Sequence, residues 1–180
     1  MKFYHFNLSL FKIDMTPQQR KVATYLQEFL KFNDKKELPS NSLIAKETKV
    51  SVNSIGKIIK DLKLMLLKQV DETWVMMMPN KKEELMPVED WMFKNGDFDY
   101  VMIKEEVFKE LDSRLLETYI RVKKLSIYTN THRTYTPTWS QLAEKWDVNY
   151  NTLRTNIYKL NKYINYNLKE NKYITNLEVI

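Results

Sequence analysis

The chain has no cysteine, two glycines and two histidines in 180 residues. Without cysteine there are neither disulfides nor thiolate metal sites, which fits a reducing cytoplasm. The two glycines, Gly56 and Gly96, are too few for a glycine-rich phosphate loop of either common kind. His5 and His132 lie far apart and offer no metal-ligand spacing. No apolar run approaches the ~18 residues that a membrane helix needs, and the N-terminus carries no signal-peptide pattern. The expectation is a cytoplasmic protein with no membrane partner, no metal and no cofactor.

What is present is a folding composition. Hydrophobic residues make up 43% and charged residues 29%, enough for one large domain or two small ones. The 29 basic and 23 acidic residues leave a formal charge of +6, which points to a polyanionic partner.

An internal repeat organises the chain. Pro39–Leu62 (PSNSLIAKETKVSVNSIGKIIKDL) aligns without gaps to Pro137–Leu160 (PTWSQLAEKWDVNYNTLRTNIYKL), at an offset of 98. Seven of the 24 positions are identical, including Pro39/Pro137, Ala45/Ala143 and Asn53/Asn151, where composition alone would give roughly one or two. An amphipathic helix precedes each core, at about Thr16–Phe32 and Ser113–Tyr128. In the first, Val22, Tyr25, Leu26, Phe29 and Leu30 recur at helical spacing, with Thr16 as N-cap and Pro17 opening the helix. In the second the stripe is Leu115, Leu116, Tyr119 and Val122. Two β-rich runs follow each core: Leu66–Val70 with Trp74–Met78, and Tyr163–Leu168 with Tyr173–Leu177. Met1–Ile13 and Phe98–Ile103 read as leading strands of their respective copies. The fold expected is α+β and mostly helical, with one domain over 1–80, a connector over 81–96 that includes a short helix at Glu89–Lys94, and a second domain over 97–180.

Each core reads as two helices around a sharp turn. In the first, Ser42–Thr48 leads through Lys49-Val50-Ser51 to a helix from Val52 to about Leu64. Ser51 is suited to cap it, and Val52, Ile55, Ile59 and Leu62 fall on the core face. Asn53, Ser54, Gly56, Lys57 and Lys60 face the other way. In the second, Asn149 caps, Leu153, Ile157 and Leu160 turn inward, and Asn151, Thr152, Arg154, Thr155, Tyr158 and Lys159 turn outward. Such side chains can bond base edges or phosphates, and a helix fits the major groove of duplex DNA.

The first core, with its P-S…[IL]-A…V-S-x-N-[ST] pattern, resembles the winged helix-turn-helix of GntR-type regulators. The second copy is similar to winged-helix domains of plasmid and phage replication initiators. The resemblance spans some 60 to 75 residues per copy and implies two winged helix-turn-helix domains in tandem. It implies that each third helix contacts bases, through Asn53, Ser54, Lys57 and Lys60 and through Asn151, Thr152, Arg154 and Thr155. The wing would contact backbone or minor groove, a role that falls on Lys169 and Lys172. An effector domain of the GntR kind has no room in this chain, which argues against a ligand-responsive repressor.

Charge follows the repeat. Lys46–Lys68 holds six basic and two acidic residues, and Arg121–Lys172 holds ten and three. Glu83–Glu117, between them, holds four basic and eleven acidic. The expected function is sequence-specific double-stranded DNA binding by a transcriptional regulator of a mobile element, with replication initiation at origin repeats as the alternative. The oligomeric state stays open between monomer and homodimer. Catalysis is not expected: paired acids such as Glu105-Glu106 fit a solvated helix surface. A protein-binding adaptor is the remaining class, and an acidic third helix would have favoured it.

Overall fold

A computed structural model of the chain describes residues 2–88, 98–132, 137–169 and 174–179. The fold is α+β, with helices and small antiparallel sheets. Two compact units divide at residue 114, Met1–Arg114 and Leu115–Ile180.

The first unit is built around helix α1, Pro17–Phe32. A capping box starts it: Thr16 Oγ1 accepts from Gln19 N–H, and Gln19 Oε1 accepts from Thr16 N–H at 2.7 Å. The apolar stripe is buried as expected at Val22, Tyr25, Leu26 and Leu30, with Phe29 half-buried. Burial extends well beyond that stripe, to Lys21, Thr24, Gln27 and Glu28. The reason is a two-stranded ribbon that covers the helix. Strand β1, Phe3–Asn7, leads into a short 3-10 turn, Leu8–Lys12.

β1 pairs antiparallel with a strand from much later in the chain, Tyr4 opposite Ile103 and Phe6 opposite Val101. The polar side chains of α1 complete this ribbon. Glu28 Oε1 accepts the backbone N–H of His5 at 3.1 Å and lies 2.8 Å from its Nδ1. Gln27 Nε2 donates to the His5 carbonyl at 2.9 Å. Two side chains thus serve His5 as a neighbouring strand would.

Helices α2, Asn41–Thr48, and α3, Val52–Met65, follow α1. Next come strands β2, Leu67–Val70, β3, Thr73–Pro79, and β4, Leu85–Pro87, in one antiparallel sheet. The β2–β3 turn holds Asp71 and Glu72 at φ 46° and 66°, the left-handed pair a two-residue hairpin requires. Met76 and Met78 are buried on β3.

β4 falls where a connector over 81–96 was expected. Asn80 organises it: its Oδ1 accepts from Lys82 and Glu84 N–H, at 2.8 and 3.0 Å. The polar run Lys81–Glu84 is therefore a tight turn between paired strands. The helix expected at Glu89–Lys94 lies outside the described residues.

Strand β5, Tyr100–Lys104, is β1's partner, and α4, Glu105–Glu110, continues from it. The second domain was expected over 97–180; its described residues 98–114 fall in the first unit. Phe108 stacks on Tyr4 with centroids 4.0 Å apart. Lys109 bridges Glu47 of α2 at 2.7 Å and Glu105 at 2.9 Å. Lys21 Nζ donates to the Leu111 carbonyl at 2.6 Å. The two leading strands pair with each other instead of each opening its own domain.

Helix α5, Ser113–His132, runs four residues past the expected end. In the second unit it packs through Leu116, Tyr119, Ile120 and Val122, while Leu115 is only half-buried. Helices α6, Trp139–Lys145, and α7, Tyr150–Lys159, and strands β6, Ile164–Leu168, and β7, Ile174–Val179, complete it. Asn156 Nδ2 donates to Thr118 Oγ1, Arg121 to the Trp146 carbonyl, and Ser126 Oγ to the Leu177 carbonyl. These bonds anchor α7, the end of α6 and β7 to α5.

Lys21 yields a pH test. Burial pushes its ammonium down to about 8; Lys49 adds to the effect and Asp112 opposes it. Its unfolded counterpart titrates near 10.5, so the unfolded chain binds more protons between pH 8 and 10.5. Stability from this group therefore rises through that window and is lost as pH falls through it. Wild type should gain about 2–4 kcal/mol relative to Lys21→Met across the window. Tyr25 and Tyr119, pushed up to about 12 by burial, act in the opposite direction above pH 10, and equally in both proteins. Urea unfolding of both proteins through the window measures the difference. A pH-independent difference would mean the amine keeps its ordinary affinity for protons.

Candidate nucleic-acid interface

The two repeat cores share their backbone chemistry. Ser40 Oγ accepts from Leu43 N–H at the start of α2, and Thr138, 98 residues on, accepts from Gln141 N–H at the start of α6. The second is again a capping box, with Gln141 Oε1 accepting from Thr138 N–H at 2.9 Å. Each of these helices is followed by one left-handed residue, Lys49 at φ 55° and Asp147 at φ 52°. These also stand at the 98-residue offset. Behind Asp147 the turn is a Schellman motif: Asp147 N–H bonds the Glu144 carbonyl and Val148 N–H the Ala143 carbonyl.

The caps of the third helices differ. Asn149 Oδ1 accepts from Asn151 and Thr152 N–H, at 2.9 and 3.3 Å, so it caps α7 as expected. Ser51 occupies the N-cap position of α3, but its side chain accepts no cap hydrogen bond, contrary to expectation. The residue is exposed.

The core face of α3 also departs from expectation. Ile55, Ile58 and Leu62 are buried, Ile59 is half-buried and Val52 is 48% exposed. Ile55 and Leu62 are thus core residues as expected, whereas Ile58 is buried in preference to Ile59 and Val52 stands outside, since a first-turn residue has no preceding turn to pack beside it. Tyr150, at the equivalent place on α7, is also exposed. Outward apolar residues at the heads of both third helices were thus missed or misplaced, and spacing alone could not have found them. On α7 the expected core residues Leu153, Ile157 and Leu160 are all buried.

The outward faces agree with the sequence assignment. Asn53, Lys57 and Lys60 are exposed on α3, and Ser54 is half-buried. Asn151, Thr152, Arg154, Thr155, Tyr158 and Lys159 are exposed on α7, with Tyr158 at 77%. Among the described residues none of these side chains has a hydrogen bond or ion pair, and Arg154 makes none with Glu144. Lys169 is exposed at the end of β6, and Lys172 lies outside the described residues. Each third helix therefore carries a row of uncommitted donors and acceptors, with cations at Lys57 and Lys60 on α3 and at Arg154 and Lys159 on α7.

Among the described residues, no three His, Asp or Glu stand together as metal ligands, and no helix is long and apolar enough to cross a membrane. No protein-family model, curated protein or solved structure matches the chain.

The caps make a measurable contrast. Asn149→Ala should cost about 1 kcal/mol of unfolding free energy, because two N–H groups lose their acceptor. Ser51→Ala should stay within about 0.5 kcal/mol, because no cap bond is lost. Chemical denaturation of the two variants checks this. Equal losses would contradict the difference in capping.

Proposed function

We propose that the chain binds double-stranded DNA sequence-specifically through two winged-helix modules. Each third helix enters a major groove and each hairpin lies along the backbone. The observation that carries this reading is the pair of exposed, uncommitted polar faces on α3 and α7, at equivalent places in the repeat. A side chain with no partner inside the protein can turn its hydrogen-bonding capacity to a base edge or a phosphate. Basic residues gathered in both repeat regions supply the electrostatic attraction.

A protein-binding adaptor would use the same surface, and the basic character of both third helices favours nucleic acid over it. Regulation of transcription and initiation of replication on a mobile element both follow from such binding. The position of the bound site, at a promoter or in a repeated origin, separates them. Selection from a randomised duplex pool tests the proposal: two half-sites should emerge, one for each module. Failure to retain any duplex at low salt would overturn it.

The side chains divide by contact type. Arg154 can make a planar, bidentate contact to guanine that lysine cannot copy. Arg154→Ala should cost roughly 1–3 kcal/mol on the selected site and relax preference at one base pair. Lys60 sits further along α3 than Asn53 and Ser54, with Lys57 and Lys63 nearby, and on that ground is assigned to phosphate and not to a base edge. Lys60→Ala should weaken all sequences alike and lower the salt slope by about one. Titrations of both variants on selected and scrambled duplexes over a salt series measure this. An equal loss on both duplexes for Arg154→Ala would reassign the arginine to the backbone.

A further inference from the structure

Gly56 lies in the interior of α3, on its exposed side. Glycine there weakens a helix relative to alanine, because it has more backbone freedom to lose. Among the described residues nothing calls for it. Its backbone is helical, outside the left-handed region that favours glycine. A Cβ built at Gly56 would come no closer to a neighbour than 3.9 Å, from Asn41 Nδ2, an ordinary contact. The protein therefore carries a destabilising residue where its own packing would accept a side chain.

The surroundings indicate a use. Asn53, Gly56 and Lys60 follow at spacings of three and four, so the glycine sits in the middle of the uncommitted face. Removing a side chain there lets another surface reach the helix backbone itself. The repeat makes the choice plainer still: 98 residues on, the equivalent position is Arg154, exposed on α7. One third helix carries its longest polar side chain at the position where the other carries none.

We infer that α3 meets the DNA major groove with its backbone, seated at Gly56, while Arg154 of α7 spans the equivalent space with its side chain. Asn53 and Lys60 flank the contact, and any side chain at position 56 would hold α3 off the groove floor. This inference rests on the DNA-binding reading above.

The test uses the full chain, the duplex selected by the wild type, and the variants Gly56→Ala and Gly56→Gln. Both should raise the melting temperature, Ala by roughly 3–6 °C, because helix propensity improves. Both should weaken binding, Ala by roughly tenfold and Gln by more, because the added atoms overfill the contact. The salt slope should not change, because no charge is removed. Opposite movement of stability and affinity is the signature.

Variants that melt higher yet bind as tightly as wild type would overturn the inference. Variants that melt lower would also overturn it, by making Gly56 a requirement of the fold. If the wild type itself retains no duplex, the DNA-binding reading fails first and this inference fails with it.

Discussion

Each candidate interface depends on one residue held in the left-handed conformation between its second and third helices. Lys49 and Asp147 are not glycines, so each costs about 1–2 kcal/mol. In the second unit the compensation is visible in the hydrogen bonds from Asp147 and Val148 to the last carbonyls of α6. In the first, Val50 is buried directly after the turn, followed by Ile55, Ile58 and Leu62. Release of either turn would swing the third helix away from its apolar support. The outward face exists because the opposite face of the same helix is buried.

In the first unit a second constraint is the supply of partners for buried polar groups. His5 would leave a backbone N–H and carbonyl unpaired beside α1, at a cost too large for a protein interior. Gln27 and Glu28 remove it. The Leu111 carbonyl is likewise matched by Lys21, and Lys49 Nζ reaches the Glu110 carbonyl at 3.1 Å. Helix α1 is thus a polar organiser as much as an apolar one. It brings residues more than 70 positions apart into one unit.

The two repeat cores agree in their turns and differ in what surrounds them. Val50 is buried, whereas its counterpart Val148 is 37% exposed. Helix α3 has 14 residues and α7 has 10. Position 56 is glycine where position 154 is arginine. The agreement lies in local chemistry, where a cap or a turn needs only its own few residues. The differences lie where packing partners differ, since among the described residues only the first unit has the β1–β5 ribbon and a third strand beside its hairpin.

Local and periodic features were legible in the sequence by itself. Thr16 and Pro17 marked the start of α1, Asn149 the cap of α7, and the 98-residue offset the shared turns and outward faces. Each rests on interactions within a few residues, so the chain carries the information in one stretch. Tertiary structure decided the remainder. Strand β1 pairs with β5 because their alternating apolar residues share one core, although the facing pair Asn7 and Tyr100 lie 93 residues apart in the chain. Nothing local distinguishes that pairing from a separate leading strand for each domain. The core face of α3 takes Ile58 over Ile59, and leaves Val52 outside, because the position of neighbouring elements sets which side chains find cover. Gln27, Glu28 and Lys21 look like solvated helix residues in sequence and are buried, because only the folded chain brings the backbone groups that need them.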